Sequence, residues 1–143
     1  MKKLLLTTLL VTGLTACSST PTPISQAKQI TSERVFEIEP LVNENEYATF
    51  KILRDSGANG GNQYMELWID GELNAQLLPE ELHTQKLDPR DHIIEIRMHN
   101  VLGKISPAQI ETIFRKGKVY FYRVGLNANN GTLVLTRDVS LSK

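Results

Sequence analysis

The chain has 143 residues, of which 16 are lysine or arginine and 16 are aspartate or glutamate, so its formal net charge is zero. This balance argues against a nucleic-acid-binding protein, which needs clustered lysine and arginine. The length fits a single folded domain.

The first 16 residues have the pattern of a cleavable secretory signal. Lys2 and Lys3 supply positive charge, and residues 4–14 form an uncharged, largely apolar run that is too short to span a bilayer. A buried helix or a hairpin strand would not explain why this run lies directly behind two lysines. Removal of residues 1–16 takes away two lysines and no acids, so the remaining chain is slightly acidic.

The apolar run ends in Leu14-Thr15-Ala16-Cys17, which resembles the lipobox of bacterial lipoproteins. The resemblance implies lipid transfer to the Cys17 thiol, cleavage between Ala16 and Cys17, and acylation of the new amine. With Ser18 as the second residue, it also implies sorting to the outer membrane, at the periplasmic face or the cell surface. Two or more acyl chains anchor a protein stably. Because Cys17 is the only cysteine, its lipidation would leave no thiol for a disulfide, a metal site or a nucleophile.

Residues 17–32 are predicted to be the lipidated cysteine and a flexible linker. The stretch contains prolines among small polar residues, and such a composition buries too little surface to repay the entropy of ordering. Residues 33–143 are predicted to form the folded domain, with the first ordered element beginning between Glu33 and Tyr47.

Apolar residues alternate with polar ones along much of the domain, which predicts β-strands. Segments 47–53, 64–69 and 92–98 each have an apolar face that we expect to point inward. These faces consist of Ala48, Phe50 and Ile52; Met65, Leu67 and Ile69; and His92, Ile94, Ile96 and Met98. Asp70-Gly71 predicts a tight hairpin turn leading to a partner strand over residues 72–78.

Residues 119–124 and 132–139 are predicted to be two further strands, separated by a loop at 127–131. Residues 106–115 fit a short helix, with Ser106 as N-cap, Pro107 at the first helical position and Gln109 completing a capping box. They also fit a strand that pairs with 119–124 through a turn at 116–118, and that turn favours the strand. Short segments at this spacing predict an all-β fold, a small antiparallel β-sandwich or barrel.

A second resemblance covers most of residues 47–124. The segments Leu67–Glu72, Leu77–Pro79, Leu87–Pro89, His92–Ile96 and Gly117–Val124 resemble PEGA-like and related uncharacterised β-sandwich domains of bacterial surface lipoproteins. The sequence departs from that pattern after Pro89, where Arg90 and Asp91 replace an expected glycine. The resemblance implies a small immunoglobulin-like sandwich and no catalytic residue.

The sequence gives little support for catalytic or metal chemistry. A zinc site needs three or four converging ligands, and His83, His92 and His99 show no close paired spacing. No serine lies in a nucleophile-elbow motif. Glu80 and Glu81 lie in a predicted loop, where adjacent carboxylates are usually solvated. We therefore predict no metal, no cofactor and no catalytic residue.

The aromatic residues are the candidates for a binding surface. Tyr64 and Trp68 lie on the face opposite Met65, and Tyr120 and Tyr122 share one face of their strand. If all four point outward, they form a platform for sugar rings or for a protein partner. The alternative is that the inward face is assigned wrongly, since the only tryptophan of a small domain is more often in the core.

These observations predict a lipid-anchored protein of the bacterial envelope that is not an enzyme. Its expected partners are the membrane, through lipid on Cys17, and another envelope protein, for which it would be a binding or structural accessory module. One alternative is glycan or peptidoglycan recognition through Trp68 and the tyrosines. The last alternative is a periplasmic hydrolase that uses His83 or His92 with Glu80 or Glu81.

Overall fold

The computed structural model describes residues 19–36, 39, 46–57, 63–100, 103–127 and 129–143. The predicted signal peptide and Cys17 lie outside these residues, as does the side chain of His99. In the part of the chain that is described, no helix is long and apolar enough to cross a membrane.

The described residues form two β-sheets that pack face to face, which confirms the predicted all-β sandwich. The five-stranded sheet has the order β1-β5-β2-β8-β9 and the four-stranded sheet the order β4-β3-β6-β7. The strands are β1 (Lys28–Gln29), β2 (Ala48–Arg54), β3 (Met65–Ile69), β4 (Glu72–Leu77), β5 (Glu81–Leu87), β6 (Asp91–Asn100), β7 (Gly103–Ile113), β8 (Val119–Leu126) and β9 (Leu133–Arg137). Strand β1 pairs with β5, and β2 with β8, in parallel, so the five-stranded sheet is mixed and not purely antiparallel.

The predicted hairpin between β3 and β4 is confirmed. Asp70 and Gly71 both have positive φ angles, 52° and 85°, as a two-residue turn of this kind requires. The predicted inward residues of β2, β3 and β6 are all buried between the sheets. Apart from His92, they form one core with Phe114 and with Tyr120, Tyr122 and Val124 of β8.

Residues 103–113 form a strand, so the helix predicted as possible over 106–115 is wrong. Pro107 is tolerated because β7 is an edge strand, where a residue without a backbone N–H need not remove a hydrogen bond to a neighbouring strand. The predicted pairing of this segment with 119–124 is also wrong, because β7 pairs with β6. After Phe114 the chain crosses to the other sheet, where β8 lies between β2 and β9.

Strand β5 was not predicted, because its inward face is polar. Glu81, His83 and Gln85 alternate along it and are all buried, so the segment lacks the apolar alternation by which strands are recognised. Its backbone pairs with β2 from Leu82 to Leu87.

Residues 19–36, here called the N-terminal strap, pack against the sandwich. Ala27 and Leu141 cover the buried side chains of Leu53, Leu82 and Phe121 on the outer face of the five-stranded sheet. The strap then crosses from the edge of that sheet, where β1 pairs with β5, to a bridge between Val35 and Ala75 in the other sheet.

This arrangement differs from the flexible linker predicted over residues 17–32. Main-chain hydrogen bonds to β5 and to the end of β2 order the strap, for example from Thr20 N to Ser56 O at 2.8 Å and from Ile30 N to Leu82 O at 3.2 Å. Such bonds depend on the position of the strap in the fold, so they cannot be predicted from its amino-acid composition.

Candidate functional site

A groove of about 460 Å³ lies on the outer face of the four-stranded sheet. We call it the Trp68 groove; its lining residues are Glu66, Trp68, Glu95, Arg97, Met98, Ile105, Ser106 and Pro107. Strands β3, β6 and β7 supply these residues side by side. We call its apolar lining residues the floor and its charged lining residues the rim; apolar and charged groups side by side suit recognition of a partner.

Trp68 points outward because Leu67 and Ile69, on either side of it, are buried in the core. Its indole Nε1 donates a hydrogen bond to Glu66 Oε2 at 3.1 Å. The Arg97 guanidinium carbon lies 3.9 Å from the centre of the ring. The tryptophan is therefore partly exposed and held in one orientation by two neighbours.

Arg97 is itself held by Glu95. Its Nε and Nη2 donate to the two carboxylate oxygens of Glu95 at 2.7 and 2.9 Å. The hydrogen bond from Arg97 holds the pKa of Glu95 below its ordinary value, although partial burial acts in the opposite direction. The same bond raises the pKa of Arg97. Two glutamates and one arginine give the rim a net negative formal charge.

The four predicted surface aromatics do not form one platform. Tyr64 is 44% exposed and lies close to Arg34, while Tyr120 and Tyr122 are only 4% and 0% exposed. The outward orientation considered for Tyr120 and Tyr122 is wrong, because β8 is an inner strand and both of its faces are covered. The tyrosines pack in the main core, and Phe121 lies under the strap and Leu141.

His92 belongs to a polar cluster at the end of the sandwich where the β3–β4 and β5–β6 turns meet. Its Nδ1 lies 2.8 Å from Asp70 Oδ2, and its Nε2 lies 2.9 Å from the carbonyl oxygen of Asp88. Asp70 also accepts hydrogen bonds from Ile93 N and from Arg90. Burial acts to raise the pKa of Asp70, but these bonds outweigh it and the pKa is lowered. The cluster ties the two turns together.

The other residues considered for hydrolysis are also engaged. His83 is buried on β5 and lies 3.3 Å from Gln85 Oε1. The Glu81 carboxylate accepts from Arg34 and from Leu78 N, and Glu80 forms an exposed ion pair with Lys28. No group of three or more His, Cys, Asp or Glu side chains that could hold a metal ion occurs in the described ranges.

Sequence reasoning identified Trp68 but missed the residues around it. Alternation along β6 is visible in the sequence and predicts that Glu95 and Arg97 lie on the outward face. That they lie beside Trp68 follows from the pairing of β3 with β6, in which Trp68 is opposite Glu95 and Glu66 is opposite Arg97. Such pairing between distant segments cannot be read from either segment alone.

The fold and the groove define the class as a small β-sandwich protein with a candidate binding surface on one sheet. The chain matches no protein-family model and no curated protein.

Proposed function

We propose that this is a lipoprotein of the bacterial envelope, attached to the outer membrane through lipid on Cys17, whose sandwich binds another envelope protein in the Trp68 groove. The signal-like residues 1–16 and the Leu14–Cys17 lipobox support the anchor. The groove supports the binding role.

The observation that carries the binding proposal is the partly exposed and preorganised Trp68–Arg97 pair. Tryptophan and arginine are the residue types most enriched among binding hot spots. Here the indole and the guanidinium already hold fixed positions through Glu66 and Glu95. Little side-chain entropy is then lost on binding, which favours affinity.

The charge of the groove indicates the chemistry of the partner. The rim carries Glu66 in addition to the Glu95–Arg97 pair, and the floor includes Ile105 and Pro107. The complementary surface is a protein segment that presents an apolar side chain beside a lysine or arginine.

A protein partner fits better than a glycan. Stacking on a sugar needs an open face of the indole, and Arg97 occupies one face of Trp68 at 3.9 Å. Tyr120 and Tyr122, which would have extended a sugar-binding platform, lie in the core. A hydrolytic role is less well supported, because the ring nitrogens of His92 face Asp70 Oδ2 and Asp88 O, and the carboxylate of Glu81 accepts hydrogen bonds from Arg34 and Leu78 N.

The test is chemical cross-linking and affinity purification of the lipidated protein from its native envelope, with Trp68→Ala as the test variant. Tyr47→Ala is the matched control, because Tyr47 also lies under a cation, Lys86 at 4.4 Å, but outside the groove. Loss of a hot-spot side chain costs about 2 kcal/mol or more, which is about 30-fold in affinity. We expect a partner that is retained by the wild type and the Tyr47 variant and is lost from the Trp68 variant.

Equal recovery of the partner with Trp68→Ala would contradict the groove as the binding site. Release of the wild type by soluble peptidoglycan fragments would instead favour the glycan alternative. The anchor has a separate test, since the added lipid mass and the partition into detergent should both disappear in Cys17→Ala. A wild-type chain that is neither cleaved nor lipidated would overturn the lipoprotein proposal.

A further inference from the structure

The strap fixes where a lipid on Cys17 would emerge from the folded protein. Ser19 is only two residues after Cys17 and is already bound to the sandwich. Its hydroxyl oxygen accepts a hydrogen bond from Leu126 N at 2.7 Å, and its own backbone N lies 3.4 Å from Leu126 O.

The residues that follow Ser19 are held equally closely. Thr20 and Ser56 exchange main-chain hydrogen bonds of 2.8 and 3.1 Å. Thr22 is 2% exposed, and its backbone N donates to Asp55 Oδ1 at 3.0 Å while its carbonyl accepts from Arg123. Residues 19–22 are thus part of the folded unit.

Gly125 lets Ser19 approach the sheet this closely. A Cβ atom at position 125 would lie 3.0 Å from both Cβ and Oγ of Ser19, closer than carbon atoms pack without a shift. A larger residue here would require Ser19 to shift by a few tenths of an ångström, so Gly125 favours the close contact of the strap with β8.

The distance from the lipid to the sandwich follows from chain geometry. Two residues span at most about 7 Å, so the Cα of Cys17 lies within about 7 Å of the Cα of Ser19. A flexible linker of the 16 residues first predicted would have a root-mean-square span of about 20 Å. The short connection would keep the Ser19 end of the sandwich close to a lipid on Cys17.

The side chains at the two ends of β8 differ in kind. The corner beside Ser19, which we call the Ser19 corner, holds the largely buried ion pair of Asp55 with Arg123 and a group of uncharged polar residues: Ser19, Thr20, Ser56, Asn127, Asn129, Asn130 and Thr132. At its other end, β8 follows a turn that contains Arg115, Lys116 and Lys118, where Lys116 pairs with Glu46. Strand β8 has eight residues, which separates these ends by about 25 Å.

We propose that the Ser19 corner is a membrane-contacting surface: the β8–β9 hairpin rests on the lipid headgroups, and the cationic turn at 115–118 points away from the membrane. This inference rests on the proposed lipidation of Cys17. Asparagine, serine and threonine side chains can exchange hydrogen bonds with headgroup phosphate and glycerol oxygens without the desolvation cost of a buried charge. In this orientation β8 stands along the membrane normal, and the Trp68 groove opens to the side.

Site-specific fluorescence quenching of the full lipidated protein in phosphatidylcholine vesicles tests this orientation. Because lipidated Cys17 has no free thiol, Asn129→Cys and Lys116→Cys each provide a single labelling site at opposite ends of the molecule. With nitroxide groups on the lipid headgroups, we expect strong quenching of a label at position 129 and little at position 116. Insertion of 20 glycine and serine residues between Ser18 and Ser19 should reduce the difference.

Equal quenching at both positions, or stronger quenching at position 116, would overturn the proposed orientation while leaving the anchor intact. Mass spectrometry of the same preparations separates the two proposals. A chain without lipid on Cys17 would overturn the proposed function and this inference together. Asn130→Cys is a second variant at the hairpin, in case the substitution at 129 disturbs folding.

Discussion

At the scale of single residues, Glu81 joins the N-terminal strap to the sandwich. Its carboxylate accepts two hydrogen bonds from the Arg34 guanidinium and one from Leu78 N. The Arg34 and Glu81 side chains are 15% and 10% exposed. The neighbouring Glu80 forms its ion pair with Lys28 in solvent. Two adjacent acids of the same type thus have different environments.

We expect Glu81→Gln to lower the free energy of unfolding by about 3 kcal/mol, because it leaves the Arg34 charge in a largely buried position without a counter-ion. Glu80→Gln is the control and should change stability little, since exposed ion pairs contribute little. Equilibrium unfolding in urea measures both variants. Equal effects of the two substitutions would contradict the structural role assigned to Glu81.

At the scale of elements, the strap is ordered by backbone contacts and by one close approach to β8. Thr20 and Thr22 bind the end of β2 and the loop after it, and Lys28 and Gln29 extend the five-stranded sheet at β5. This added edge strand covers a sheet edge that would otherwise expose unpaired backbone groups. The strap therefore covers one edge of the sandwich and would position the proposed anchor.

Gly125→Ala should loosen the first residues of the strap without unfolding the core, because the new methyl group would lie 3.0 Å from Ser19 and require it to shift. Hydrogen exchange at the amides of Thr20 and Thr22 is the measurement, and we expect a loss of protection there but not in β3 or β6. Ser19→Gly in the same chain removes the opposing Cβ and should restore part of the protection at both amides. Unchanged protection in Gly125→Ala would mean that the contact is not required.

At the scale of the whole molecule, the carboxylates with lowered pKa values share one feature. Asp70, Glu81, Glu95 and Asp138 each accept hydrogen bonds from basic, hydroxyl or backbone donors that favour the ionised form. For Glu81, burial acts to raise the pKa, but the bonds from Arg34 and Leu78 outweigh it. Ionised carboxylates at both ends and on one face of the sandwich therefore stabilise the folded state.

We expect stability to fall as the pH is lowered through the acid range. A carboxyl group whose pKa is lower in the folded state stabilises it fully above its unfolded pKa, and this contribution is lost as the pH falls through the folded pKa. For Glu81 the loss begins near its ordinary value of 4.5 and continues below it. Urea unfolding between pH 7 and pH 3 should show a decline that is shallower in Glu81→Gln. Parallel curves for the two proteins would refute the contribution of Glu81.

Local signals in the sequence predicted much of the sandwich. Alternation identified the inward faces of β2, β3 and β6, and Asp70-Gly71 identified the hairpin, because the period of two and the positive φ angles are properties of a few adjacent residues. The same rule failed at β5, whose inward Glu81, His83 and Gln85 are polar. It was ambiguous at residues 106–115, where capping residues also suited a helix. The sequence did not determine whether Tyr120 and Tyr122 point inward or outward. Their strand is covered on both faces, so it lacks the polar face that would mark the outward side.

The sequence by itself determined the all-β class, the strand faces that build the core, and the lipobox on which the proposed anchor rests. Tertiary structure decided how β8 lies between β2 and β9, which side chains surround Trp68, and that residues 19–36 pack on the sandwich instead of forming a linker. The physical reason is the range of the interactions. Alternation and turn geometry act between near neighbours, whereas the pairing of Glu66 with Arg97 and the contact of Ser19 with Leu126 join segments far apart in the chain.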